Sequence, residues 1–148
     1  MALHQIIYTS HSNGIMTGVE LVELLRHSRA KNTLLGVTGL LLHADGSFMQ
    51  TIEGEDEPLH RLYATIAQDP RHGGAIIMCD DPITRRSFND WSMAFREITR
   101  DEADSIPGFH HLAAAIHNSP HESDIARRIM QRFADGVGLT DAFQSTYG

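Results

Sequence analysis

Three polar side chains of this 148-residue chain sit on faces that the sequence otherwise makes apolar. In the run Gly46-Ser47-Phe48-Met49-Gln50-Thr51-Ile52-Glu53, alternate residues of a strand share a face, which places Gln50 between Phe48 and Ile52. Tyr8 shares a strand face with Ile6 in the same way. Asn32 and Ser28 continue a helical stripe that begins with Leu21, Leu24 and Leu25. A buried amide without partners costs about 1–3 kcal/mol, so either Gln50 is solvated or the interior holds something that needs its hydrogen bonds. Taken singly, each residue has a plain structural role: a core tyrosine with a satisfied hydroxyl, or an asparagine capping a helix. Taken together, they supply one hydroxyl and two carboxamides, and both carboxamides donate and accept. Such a set suits the edge of a flat heterocycle, with Leu24, Leu25 and Ile66 available to cover its faces. Apolar walls with a few placed polar groups are the anatomy of a small-molecule pocket.

The elements that must position these residues follow from periodicity. Residues 3–9 read as a strand, and 10–14 as a loop. Thr17 and Glu20 have capping-box spacing and open a helix that runs to about Ala30. Strands follow at about 36–43 and 47–53, joined by the hairpin signal Ala44-Asp45-Gly46. A second helix starts near Asp56 or Glu57 with Pro58 at its first position. Its stripe is Leu59, Leu62, Tyr63, Ile66 and Ala67, and Asp69-Pro70 stops it. Strands at 74–80 and 91–98 complete the order β-α-β-β-α-β-β, the last with Trp91, Met93 and Phe95 on one face. This order predicts a ferredoxin-like α+β domain over residues 1–98, a five-stranded mixed sheet with both helices on one face. Residues 99–148 are predicted to be a helical extension on the other face, with stripes Ile106, Phe109, Leu112, Ala113, Ile116 and Ile125, Ile129, Phe133.

Composition narrows the function. The hydrophobic fraction of 41% and charged fraction of 21% are those of a soluble globular domain. A net charge of −7 argues against a phosphate-neutralising surface for nucleic acid. The single cysteine, Cys79, lies in an apolar strand and is expected to be an inert thiol in a reducing compartment. No signal peptide or spanning segment is predicted, so the expected location is cytoplasmic. Phosphate-loop and dinucleotide fingerprints are absent. The ten histidines form no recognisable metal set by spacing: His117 and His121 are four apart, but Pro120 interrupts a shared helix.

From residue 3 to about residue 98 the chain resembles the BLUF family of flavin-based blue-light sensors. The segments that carry the resemblance are IIYTS at 6–10, SRAKN at 28–32, GVTGLLLHADGSFMQTIEGE at 36–55, DPRH at 69–72 and FNDWSMAF at 88–95. The resemblance implies that Tyr8 gives up an electron and a proton on illumination. It implies that Gln50 then changes orientation or tautomer beside the flavin N5 and O4 edge, shifting absorption slightly to the red. Asn32 would bind the pyrimidine edge of the ring, and Leu24 and Ile66 would sandwich it. Asp69 and Arg71 would lie near the pyrimidine and ribityl end, with Leu25, Ser28, Lys31, Phe48 and His72 completing the cofactor site. Trp91 and Met93 would lie on the strand that responds to light. The match weakens at Lys31, where relatives vary, and at Thr65, where some relatives carry arginine, so the resemblance does not assign the phosphate contacts.

FAD is the implied cofactor, with FMN and riboflavin as alternatives, and no metal is implied. The chain is expected to be a photoreceptor and not an enzyme. The rival reading is a small flavin-dependent enzyme on the same fold, against which stands the lack of an acid–base pair or nucleophile beyond Tyr8 and Gln50. The implied partner is a separate signalling protein, such as a cyclic-dinucleotide enzyme, a transcriptional regulator or a response-regulator-like protein, and a homo-oligomer is expected.

Overall fold

The computed structural model describes residues 2–13, 18–44, 46–88 and the backbone of 94–97, together with Arg127 and Met130. The element order is β1 (Leu3–Ser12), α1 (Gly18–Leu35), β2 (Thr38–Ala44), β3 (Ser47–Glu55), α2 (Asp56–Ala67), β4 (His72–Ile83) and β5 (Ala94–Glu97). The strands lie in the order β4-β1-β3-β2-β5. β3 fills the space between β1 and β2 and pairs antiparallel with both, while β4 pairs antiparallel with β1. β5 joins the far edge parallel to β2. This is the ferredoxin-like α+β arrangement, an antiparallel core sheet carrying two helices.

Alternation along the strands sorts the two faces. Ile6, Tyr8, Leu41, Phe48 and Ile52 form one cluster with Leu21 and Leu25 of α1 and Leu59 and Leu62 of α2. The intervening residues Gln5, Ile7, Leu40, Leu42, Met49, Thr51 and Glu53 are also buried, as is Met130. β3 is therefore buried on both faces, and only its last residue, Glu55, is partly exposed.

Several element boundaries differ from those read in the sequence. β1 does not stop at Thr9 but continues to Ser12, through residues expected as a loop, because pairing with β3 and β4 extends that far; β2 starts at Thr38 and β3 runs to Glu55. The first helix does not end near Ala30 but runs to Leu35. Its stop is Gly36 at φ 68°, with Val37 N–H donating to the Asn32 carbonyl at 2.8 Å and Gly36 N–H to the Thr33 carbonyl at 3.4 Å. These are the two bonds of a Schellman cap, which needs the left-handed conformation that glycine tolerates. Pro58 is the third residue of α2, not the first, because Glu55 is the N-cap; the first turn has no intrahelical N–H bond for proline to break. β4 begins at His72 and continues through Pro82 to Ile83. It is an edge strand, where a missing N–H costs no ladder bond on the open side. β5 is described over Ala94–Glu97, shorter than the 91–98 expected. Trp91, Met93 and the predicted helical stripes of the extension lie outside the described residues.

The loop after β4 is tied to β3 by a buried carboxylate. Glu53 is 0% exposed. Its Oε1 accepts from the backbone N–H groups of Ser87 (2.9 Å) and Phe88 (3.0 Å), and its Oε2 accepts from Gln5 Nε2 (2.7 Å). Arg86 adds bonds to the Thr38 hydroxyl at 2.9 Å and to the Glu53 carbonyl at 3.0 Å. Arg127 reaches the same face, donating from Nε to Gln5 Oε1 at 3.0 Å and from a terminal nitrogen to Asp81 Oδ2 at 2.5 Å.

Candidate functional site

Between α1, α2 and the sheet lies a mainly apolar cavity of ≈ 240 Å³. Its floor is set by strand register. Tyr8 of β1 and Gln50 of β3 are directly opposed, and Leu41 of β2 opposes Gln50 from the other side. Directly opposed antiparallel residues have Cβ atoms about 5 Å apart, so the two polar groups meet by construction. The Tyr8 hydroxyl donates to Gln50 Oε1, with both side chains buried.

Burial drives the Tyr8 pKa well above the ordinary phenol range, reinforced by Tyr63 and Asp69. Tyr8 is therefore a phenol with its proton in place at any physiological pH. Its ring meets Tyr63 edge-on, with centroids 5.2 Å apart and planes at 68°. A glutamine beside such a donor has a useful asymmetry: the carboxamide's two ends are nearly alike in shape and opposite in hydrogen-bonding sense. Reversing it, or shifting its proton, changes what the pocket's edge presents without repacking the core.

Leu24, Ser28, Lys31 and Asn32 enter the cavity from α1, Phe48 from β3 and Ile66 from α2. Asp69, Arg71 and His72 close one end. Leu25 is not on this wall: it is fully buried in the core beneath it, because it lies on the stripe that packs directly on the strands. Ser10, His27 and Leu41, not singled out from the sequence, also line the cavity, as do Leu62, read as part of the second helix's stripe, and Thr65. Leu41 lies within an apolar strand and His27 lies off the apolar stripe of the first helix, so neither pattern marks a ligand contact.

His72 shows that the wall suits a polar ligand. Its Nε2 lies 2.6 Å from the Ile66 carbonyl, which can only accept, so Nε2 carries the proton. Its Nδ1 is then an acceptor, buried and without a protein partner. Together with the buried carboxamides of Asn32 and Gln50, this donor and acceptor set fits the edge of a planar heterocycle.

At the rim, Asp69 and Arg71 form a fork. Arg71 Nε lies 3.0 and 3.1 Å from the two carboxylate oxygens, a terminal nitrogen lies 2.5 Å from Oδ2, and the Arg71 backbone N–H donates at 2.9 Å. The hydrogen bonds from Arg71 hold the Asp69 pKa down to about 2, from an ordinary 3.8. A carboxylate whose folded pKa is depressed stabilises the fold above its unfolded value and loses that contribution as pH falls through the folded one. Asp69→Asn is therefore expected to flatten the loss of stability between about pH 4 and pH 2, read from urea midpoints across that window. Equal slopes in the two proteins would place the acid sensitivity elsewhere.

A ferredoxin-like sheet whose helix-covered face holds an apolar pocket around a buried tyrosine–glutamine pair defines a small-molecule-binding sensor domain. The chain belongs to the BLUF family, described as sensors of blue-light using FAD, which matches residues 3–94. BlrB, a BLUF protein solved in its dark state, superposes with a TM-score of 0.67 at 32% identity, covering 87% of this chain and 96% of that one. A Klebsiella pneumoniae protein, BlrP1, solved with manganese and cyclic diGMP, gives a TM-score of 0.65 at 28% identity, covering 90% of this chain and 33% of that one. The beta subunit of a photoactivated adenylate cyclase from Euglena gracilis is 41% identical over 73 residues, 49% of this chain and 8% of that protein. The chain thus spans a small part of that relative's length. No helix among the described residues is long and apolar enough to cross a membrane.

Proposed function

We propose that Tyr8 and Gln50 are the photoactive couple of a blue-light receptor, with the cavity above them holding flavin. The observation that carries this reading is the hydrogen bond from the buried Tyr8 hydroxyl to Gln50 Oε1 on the cavity floor. When bound, the flavin supplies blue-light absorption and, once excited, an electron acceptor. Tyr8 gives up an electron, and its proton leaves along the existing bond to Gln50. The electron and the proton then return to Tyr8, with no net oxidation, while Gln50 remains in its alternative orientation or tautomer and would present a changed hydrogen bond to the ring edge. Asn32 and His72 offer polar groups from the cavity wall, Leu24 and Ile66 cover the ring faces, and Asp69 and Arg71 close the rim. FAD is the cofactor this reading favours, following the family description; FMN is the alternative, since BlrP1 has been solved with it.

In this reading residues 1–98 are the sensor and residues 99–148 relay its state. The contacts of Arg127 with Gln5 and Asp81 support this, since they reach the opposite face of the strand that carries Tyr8 and of its neighbour β4. The chain acts without turnover of its own, on a separate effector. Similar proteins named as light-regulated adenylate cyclases, and BlrP1 solved with cyclic diGMP, support an effector of the nucleotide-cyclase or cyclic-dinucleotide kind.

The decisive experiment is the absorption spectrum of purified protein before and after blue light. A yellow protein whose flavin band moves reversibly to longer wavelength, with no substrate added, is the expected result. Protein that stays colourless after reconstitution with FAD, or coloured but without a photocycle, would overturn the proposal.

A further inference from the structure

Toward the opposite end of β1 from Tyr8, side chains from three elements converge: His4 of β1, His60 of α2 and Asp80 of β4. Their coordinating atoms all lie within 4.8 Å of one another. His4 Nε2 contacts Asp80 Oδ1, and His60 Nε2 lies 2.9 Å from the same oxygen. The two imidazole rings are 4.7 Å apart between centroids. Tyr8 lies four positions after His4 on β1, about 13 Å along the strand, so this cluster is separate from the cavity above Tyr8 and Gln50, whose lining includes none of its members.

The hydrogen-bonding sense of His60 makes the cluster unusual. Its Nδ1 lies 2.8 Å from the Asp56 carbonyl oxygen and 2.7 Å from Asp56 Oδ1. Both atoms accept, so Nδ1 carries a proton. In the neutral ring Nε2 then holds a lone pair, and that lone pair faces a carboxylate oxygen, another acceptor. At 2.9 Å the pair is satisfied either by a second ring proton, donated from Nε2 to Asp80 Oδ1, or by a metal ion that both atoms coordinate side by side.

Two imidazole nitrogens and one carboxylate oxygen form a ligand set suited to borderline divalent metals. The Asp56 contact supplies the outer partner that usually fixes the tautomer of a metal-binding histidine. The His4 side chain is 13% exposed, while His60 and Asp80 are 40% and 36% exposed, so the site is anchored on one side and open to solvent on the other. A spacing search misses this set, because positions 4, 60 and 80 meet only when β4 pairs with β1 and α2 packs across them.

We propose that His4, His60 and Asp80 form a binding site for a divalent transition-metal ion of the zinc class, with Asp56 orienting His60. The test uses the full chain, stripped with chelator and titrated with zinc by calorimetry at neutral pH. Cobalt serves as a spectroscopic probe, because its ligand-field bands lie to the red of flavin absorption. The expected result is zinc binding that His4→Asn, His60→Asn and Asp80→Asn each weaken by roughly tenfold or more, and Asp56→Asn by about tenfold. Cobalt bands should fall in parallel. Unchanged flavin absorption in each variant would show that the fold is intact. If His4→Asn fails to fold, the half-exposed His60→Asn decides. No zinc binding by the parent chain would mean that the cluster is an ion pair closed by a proton, and would overturn the proposal. So would binding undiminished in every variant, with zinc held by other histidines. Neither result bears on the photochemistry of Tyr8.

Discussion

Replacing Tyr8 by phenylalanine is expected to leave flavin bound and to abolish the light-induced shift. The ring contributes to the core cluster with Ile6, Phe48 and Ile52 and meets Tyr63 edge-on, and phenylalanine preserves both contacts. What is lost is the hydroxyl and its bond to Gln50, a change of about 1 kcal/mol for a typical buried hydrogen bond. Fold and cofactor affinity should therefore change little. The photochemistry should change completely, because phenylalanine has no acidic proton and is far harder to oxidise. Gln50→Leu tests the other half of the couple: it keeps the volume, removes both ends of the amide, and should also bind flavin without a stable shifted state. Tyr63 provides the internal control. It is the nearest alternative phenol, but it is only partly buried. Tyr63→Phe should keep the shift, whereas a shift surviving in Tyr8→Phe and lost in Tyr63→Phe would reassign the donor. Difference spectra of the four proteins under identical illumination settle these roles.

The second large effect is expected on stability, at Glu53. Glu53→Leu would leave the Gln5 amide and the Ser87 and Phe88 backbone N–H groups without their acceptor, in a place sealed from water. An unsatisfied buried donor costs roughly 1–3 kcal/mol, so the three together predict a loss on the order of 3 kcal/mol or more. For a chain of this length that corresponds to a fall in melting temperature of about 6–12 °C. Glu53→Gln should be milder, since one amide oxygen can still accept from the two backbone groups. Its amide nitrogen would then face Gln5 Nε2, and Gln5 cannot reverse freely because its Oε1 accepts from Arg127. The order parent, glutamine, leucine in urea midpoints is the expected outcome. Faster amide exchange at Ser87 and Phe88 in the leucine variant would locate the loss in the loop after β4. Equal stability of parent and leucine variant would mean that this carboxylate does not hold that loop.

Much of the domain is legible in sequence because its signals are local. Alternation around Phe48, Gln50 and Ile52 determines which residues share a face, and the turn before Ser47 determines that the two strands form a hairpin. The stripe Leu59, Leu62, Tyr63, Ile66 likewise marks the inner side of α2. Polar residues interrupting those patterns, Tyr8, Gln50 and Asn32, point to a pocket before any partner is known. Helix ends are less legible: the stop at Gly36 depends on a backbone conformation and two hydrogen bonds, and Asn32, which reads as a possible cap, is instead a buried helical residue four positions before it.

What only the tertiary structure decided is which distant residues become neighbours. Periodicity gives a face, and register and strand order give the partner. The opposition of Tyr8 and Gln50 follows from the pairing of β1 with β3, which no local pattern specifies. The same holds on the other side of the sheet, where Glu53 reads as the end of a strand but is sealed beneath the loop after β4. It holds most strongly for His4, His60 and Asp80, which lie on three different elements and share no local pattern in sequence. Their meeting depends on a sheet edge and a helix packing together, since burial of the apolar faces fixes the geometry and carries the polar side chains into place.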